Sequence, residues 1–171
     1  MQEIVDWLNG IIWSNALIFL CLGAGLFFSI LTRFVQVRLF KEMIRLLFSS
    51  KESDRGISSF QALSVSLSGR VGTGNIAGVA AAIGFGGPGA VFWMWVVAFL
   101  GASTAYVESA LGQIYKEDDD GQYRGGPAYY IEKAMGQKWY AWIFAITTIV
   151  ATGLLLPGVQ SNSIGNAAEL A

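Results

Sequence analysis

Four stretches of this chain, roughly Ile11 to Leu31, Phe60 to Phe85, Gly89 to Ile114 and Trp139 to Ile164, are apolar for about the 20 residues that cross a ~30 Å hydrocarbon core. Segments of that length and character constrain the fold more than any other feature. In lipid every backbone N–H and C=O must find an internal partner, so such segments become helices. A soluble bundle of four long helices would need a polar stripe on each at 3.6-residue spacing. Leu17 to Leu31 has none, for it holds no charge and only Ser29 among hydroxyl and amide side chains. A charged fraction of 13% agrees, about half that of an ordinary soluble domain. The expected class is therefore all-helical and polytopic, with spans at 11–31, 60–85, 89–114 and 139–164. Met1-Gln2-Glu3-Ile4 lacks a basic n-region, so the first stretch reads as a retained anchor rather than a cleaved signal.

The available chemistry is narrow. There is no histidine, which removes His-based acid–base catalysis and His-ligated metals. Cys21 stands alone, so no disulfide framework or Cys-based metal site can form. Carboxylates, amides, hydroxyls and backbone remain.

Lys and Arg set the orientation. Arg33, Arg38, Lys41, Arg45, Lys51 and Arg55 follow the first span, Lys116, Arg124, Lys133 and Lys138 follow the third, and only Arg70 lies elsewhere. The positive-inside rule assigns both connectors, 33–58 and 116–138, to the cytoplasm and the N-terminus to the outside of a cytoplasmic (inner) membrane. In the first connector Phe34 to Phe48 interleaves basic and apolar residues near helical period, which predicts a helix at the inner membrane surface. It serves either as a topology determinant with snorkelling cations or as a lipid-sensing element. In the second, Glu117 to Asp120 lacks the spacing of a calcium loop and reads as a solvated turn. Pro127 and Gly136 then delimit a short helix.

The second span is interrupted. Ser68-Gly69-Arg70-Val71-Gly72-Thr73-Gly74-Asn75 places glycines, hydroxyls, an amide and a charge at membrane depth, where each Gly costs a helix about 1 kcal/mol relative to Ala. The third glycine is one position too far along for a dinucleotide fingerprint. Two readings remain, and they are compatible: Gly74, Gly78 and Ala82 as a small-residue packing stripe, and Gly69 to Asn75 as unwound backbone lining a cavity. Unwinding would aim free N–H groups and a positive dipole end at a carboxylate. Freed carbonyls with the Thr73 hydroxyl and Asn75 amide oxygen suit a hard cation. Arg70 and Glu108, about 15 Å and about 9 Å from the cytoplasmic ends at ~1.5 Å per residue, are the charges well inside spans, with an ion pair of structural or gating role as the leading expectation. In the fourth span Pro157 frees a carbonyl near Gly153, and Gln160, Asn162 and Asn166 follow it.

Gly87-Pro88-Gly89-Ala90-Val91-Phe92-Trp93-Met94-Trp95-Val96-Val97-Ala98-Phe99-Leu100-Gly101 resembles the signature of the alanine/glycine:cation symporters, the sodium:alanine symporter family. Ser68 to Val79 looks like that family's broken first core helix, and Tyr123-Arg124-Gly125-Gly126-Pro127-Ala128-Tyr129-Tyr130 like its following inner loop. The resemblance covers essentially the whole chain. It implies the inverted-repeat fold typified by the bacterial leucine transporter LeuT, of which this length holds an extra helix and the first three core helices. It implies inward transport of alanine or glycine with Na⁺ as coupling ion and no organic cofactor. By resemblance the substrate carboxylate meets Gly72, Thr73, Gly74 and Asn75, with Gln160 and Asn162 lining the pocket and Gly72, Thr73 and Asn75 as sodium candidates. Phe92, Trp93 and Trp95 are read as packing or lipid-facing residues. The chain is expected to need the family's later helices before it can transport. A structural or regulatory membrane subunit is the alternative; a channel lacks a repeated filter, and an intramembrane enzyme lacks a catalytic partner for Glu108.

Overall fold

A computed structural model describes residues 2–49 and 57–169, so Lys51 and Arg55 of the first connector lie outside the described residues. The chain begins with helix α1, Gln2–Ile12, which runs into α2, Asn15–Leu31. Short α3, Val35–Arg38, and amphipathic α4, Phe40–Phe48, follow. Beyond the undescribed stretch come α5, Ser59–Ser68, a π-helical turn at Gly74–Gly78, α6, Val79–Gly86, and the long α7, Gly89–Ile114. Helix α8, Pro127–Met135, precedes α9, Lys138–Val150, which passes through a second π turn, Ala151–Leu155, into α10, Leu156–Glu169.

Among the described residues three helical stretches are long and apolar enough to cross a membrane: Gln2–Leu31, Gly89–Ile114 and Lys138–Glu169. The glycine-rich second stretch forms no such continuous helix. It exists as α5 and, beyond the break, an apolar piece spanning Gly74–Gly86. At the other irregularity, Pro157 has no N–H to give, and the ladder widens just before it, the Leu156 N–H reaching Ala151 O five residues back.

The all-helical expectation needs one correction. Strands β1, Glu117–Asp119, and β2, Gln122–Arg124, pair antiparallel, Glu117 opposite Arg124. Asp120 (φ 52°) and Gly121 (φ 77°) both have positive φ, the geometry that Asp-Gly favours in a two-residue hairpin turn. The acidic run is therefore strand over Glu117–Asp119 with Asp120 opening the turn, tied by Arg124–Asp119 at 3.1 Å. The first connector also departs from a single surface helix. Arg33 (φ 54°) and Phe34 (φ 51°) form a left-handed elbow after α2, and the chain breaks again at Leu39. The short helix between Pro127 and Gly136 forms as α8, closed by Gly136 at φ 68°.

The tightest packing joins α2 to α7. A Cβ on Gly25 would stand 2.9 Å from Leu100 Cβ and 3.2 Å from the Leu100 carbonyl carbon, so only glycine permits this crossing. Directly below, Ser29 and Ser103 are fully buried and hydrogen-bonded at 3.0 Å. Ser103 also donates towards Gly25 O at 3.0 Å and Leu100 O at 2.8 Å, and Gln36 Nε2 donates to Ser29 Oγ at 3.0 Å. Buried Val35 seals the elbow beside them. By contrast Phe92, Trp93 and Trp95 lie open on α7, suited to lipid contact.

Candidate functional site

The break is built locally. Ser58 starts α5 with a capping box, its hydroxyl accepting from Gln61 N–H while Gln61 Oε1 accepts from Ser58 N–H. The helix ends at Ser68, and Arg70 and Val71 N–H groups fold back on Leu67 O at 3.0 and 3.1 Å. Thr73 (φ −58°, ψ −29°) caps the resumed helix without a side-chain bond. Asn75 N–H is taken by Gly72 O at 3.1 Å, whereas the N–H groups of Gly72 and Thr73 have no backbone acceptor among the described residues. Two main-chain donors therefore remain free at the positive end of a helical piece, the pairing that favours an anion.

Gln160 of α10 comes to this turn. A Cβ on Gly72 would lie 3.0 Å from Gln160 Nε2, so the absence of a side chain at position 72 is what lets the amide approach the backbone. The two segments are 88 positions apart in sequence. Thr73, Asn75, Gln160 and Asn162 make no side-chain hydrogen bond among the described residues, leaving their polar atoms available. A Cβ on Gly74 or Gly78 would meet nothing within 4 Å, so among the described residues neither glycine sits at a close helix crossing. The close-packed small pair is instead Gly25 and Ser29 on α2, whose i, i+4 spacing carries the same signal and escaped the sequence reading.

Arg70 and Glu108 line a common cavity of about 770 Å³ with Ser109, Lys116 and Arg124, but they are not in ion-pair contact. The hairpin closes its edge. Gly125 packs so near α7 that a Cβ there would lie 2.8 Å from Gly112 O. Lys133 fastens the same corner, bonding Tyr115 O at 3.2 Å and Glu117 at 2.9 Å, and Lys116 sits 4.1 Å from the Tyr123 ring centre. Behind it, burial first, then the charges of Glu108 and Tyr140, raise the Tyr130 phenol above its ordinary value. No group of three or more Cys, His, Asp or Glu is placed to hold a metal among the described residues.

Three membrane-length helical stretches and an interrupted one with free polar groups at the interruption are consistent with part of a polytopic membrane protein of the secondary-transporter class. The chain belongs to the sodium:alanine symporter family, whose model matches residues 1–171. It is 63% identical over 164 residues to YrbD of Bacillus subtilis, whose name provisionally assigns it as a sodium/proton-dependent alanine carrier; the match covers 96% of this chain and 34% of that one. It is 49% identical to the amino-acid carrier protein AlsT of the same organism, covering 98% of this chain and 36% of AlsT. It is 38% identical to the sodium/alanine symporter AgcS of Methanococcus maripaludis, covering 96% and 38%. The chain thus spans about a third of the length of these relatives. The family is one of symporters, not enzymes.

Proposed function

We propose that these residues supply one side of the substrate and ion site of a Na⁺-coupled symporter for small neutral amino acids, alanine or glycine. The observation that carries this is the approach of Gln160 to the turn at Gly72, where main-chain N–H groups stay free. Gly72 and Thr73 N–H would receive the substrate carboxylate, with Gly74 keeping that surface bare and Gln160 and Asn162 lining the pocket. The Thr73 hydroxyl, the Asn75 amide oxygen and the Gly72 carbonyl are the sodium candidates. Placing both on one turn couples them, since a bound cation offsets the carboxylate charge in a medium of low dielectric.

In this reading the fold is the amino-terminal part of a LeuT-type inverted repeat in the cytoplasmic membrane, N-terminus outside and both basic connectors inside. Arg70 and Glu108, which line one cavity, act in gating. The remaining ligands come from the family's later helices, so the chain alone does not transport.

A chimera tests this. Residues 1–171 joined to the remaining two thirds of YrbD and reconstituted in proteoliposomes should take up alanine under an inward Na⁺ gradient. Gly72→Leu should abolish uptake with insertion intact, because its side chain would displace Gln160. Full uptake by that variant would reject the site, and Na⁺-driven uptake by residues 1–171 alone would show that one side suffices.

A further inference from the structure

Among the described residues the elbow that ends α2 gathers more cations than acids. Arg33 and Arg38 line a cavity of about 310 Å³ floored by Leu31 and Val35. Arg38 also lines the next one, of about 600 Å³, with Lys41, Ile44 and Arg45. One carboxylate, Glu42, lies among them, and Arg45 already engages it at 2.5 Å. Among the described residues no acid pairs with Arg33, Arg38 or Lys41.

The elbow is held rigidly. Phe34 N–H bonds Ser29 O at 2.6 Å, Gln36 reaches Ser29 Oγ, and Val35 is 3% exposed. Two consecutive left-handed residues, Arg33 and Phe34, turn the chain from α2 into α3. Along α4 Phe40, Ile44 and Phe48 stay open to the surroundings beside Lys41 and Arg45, four residues apart, while Arg38 stands at the end of α3 just before the break at Leu39. The site thus has a cationic rim and an apolar floor at the end of a membrane-length helix.

We infer that the α2–α4 elbow binds the headgroup of an anionic phospholipid, its phosphate between Arg38 and Lys41 and its acyl chains along Leu31 and Ile44. A soluble phosphate would match the cations but leave the apolar floor unused; a zwitterionic lipid would use the floor but bring no net charge.

Native mass spectrometry of the full chain in detergent, with phosphatidylglycerol and phosphatidylcholine at equal concentration, tests this. Phosphatidylglycerol should be retained at least tenfold more. Each cation beside an anionic headgroup is worth about fivefold in affinity, so Lys41→Gln should cost about fivefold and the Arg38→Gln/Lys41→Gln double variant more. Lys138→Gln, on the other connector, should cost nothing. Raising salt from 50 to 500 mM should erode the preference of the unsubstituted chain, a readout that no folding defect can mimic. Equal retention of the two lipids, an equal loss from Lys138→Gln, or indifference to salt would overturn the inference. Displacement of the lipid by millimolar glycerol phosphate would also overturn it, reassigning the site to soluble phosphate.

Discussion

Gly25 and Gly23 sit two residues apart on α2 and differ in one respect: a Cβ at Gly23 would meet nothing within 4 Å, whereas at Gly25 it would stand 2.9 Å from Leu100 Cβ. Replacing either by Ala gains about 1 kcal/mol of helix propensity. Only Gly25→Ala must also push α7 away. Restoring ordinary contact, at 3.4 Å or more, needs a shift of about 0.5 Å, and Leu100 backbone atoms at 3.2 and 3.3 Å cannot swing aside as a side-chain tip would. Overpacking of this kind costs about 1–3 kcal/mol. The same shift stretches the Ser103 to Gly25 O bond from 3.0 Å, and interhelical bonds in membranes average about 0.6 kcal/mol. The variants should therefore differ by about 1.5–3.5 kcal/mol, with Gly23→Ala at or above the parent. Unfolding of the detergent-solubilised chain by SDS, followed by tryptophan fluorescence, measures this directly. Equal midpoints for the two variants would refute the close crossing of α2 and α7.

Three further outcomes follow from other parts of the molecule. Ser103→Ala removes the hub of the buried Ser29–Ser103–Gly25 bonds and should cost about 0.6 kcal/mol and at most about 1.7 in the same unfolding assay; no loss would mean the hydroxyls contribute nothing net. Because the Tyr130 phenol is raised in the folded chain, folded protein holds its proton where unfolded chain releases it. The stability this gives is complete below the ordinary tyrosine value and disappears as pH rises through the raised one, so Tyr130→Phe should flatten the alkaline decline in stability, while Glu108→Gln should lower the phenolate titration by less than full exposure would. Gly121→Ala, at φ 77°, should cost about 1 kcal/mol and speed amide exchange in β1 and β2; unchanged exchange would argue against the positive-φ turn.

Several features were legible residue by residue because their causes are local. Pro127 and Gly136 bounded α8 through a missing N–H and a left-handed cap, and Gly69 and Gly72 marked where α5 would end. The hairpin was equally local, since Asp120-Gly121 is a turn signal, but the acidic charges drew the reading towards solvent instead. Helix α1 was missed because Glu3 and Asp6 interrupt its apolar residues. The Arg70–Glu108 contact was argued from depth alone, and depth says nothing of lateral separation.

The sequence by itself pointed to apolar stretches of membrane length, to the bounds of α8 and to the break after α5, since hydropathy, glycine and proline act over a few neighbouring residues. Tertiary structure alone decided which faces meet. Ser29 and Ser103 bond across 74 positions, and Gly72 admits the amide of Gln160 from the far end of the chain. A rotation of α2 by part of a turn would present Gly23 rather than Gly25 to α7 at no cost in hydropathy. What excludes it is steric fit and the pairing of buried hydroxyls, and both depend on two helices being present together.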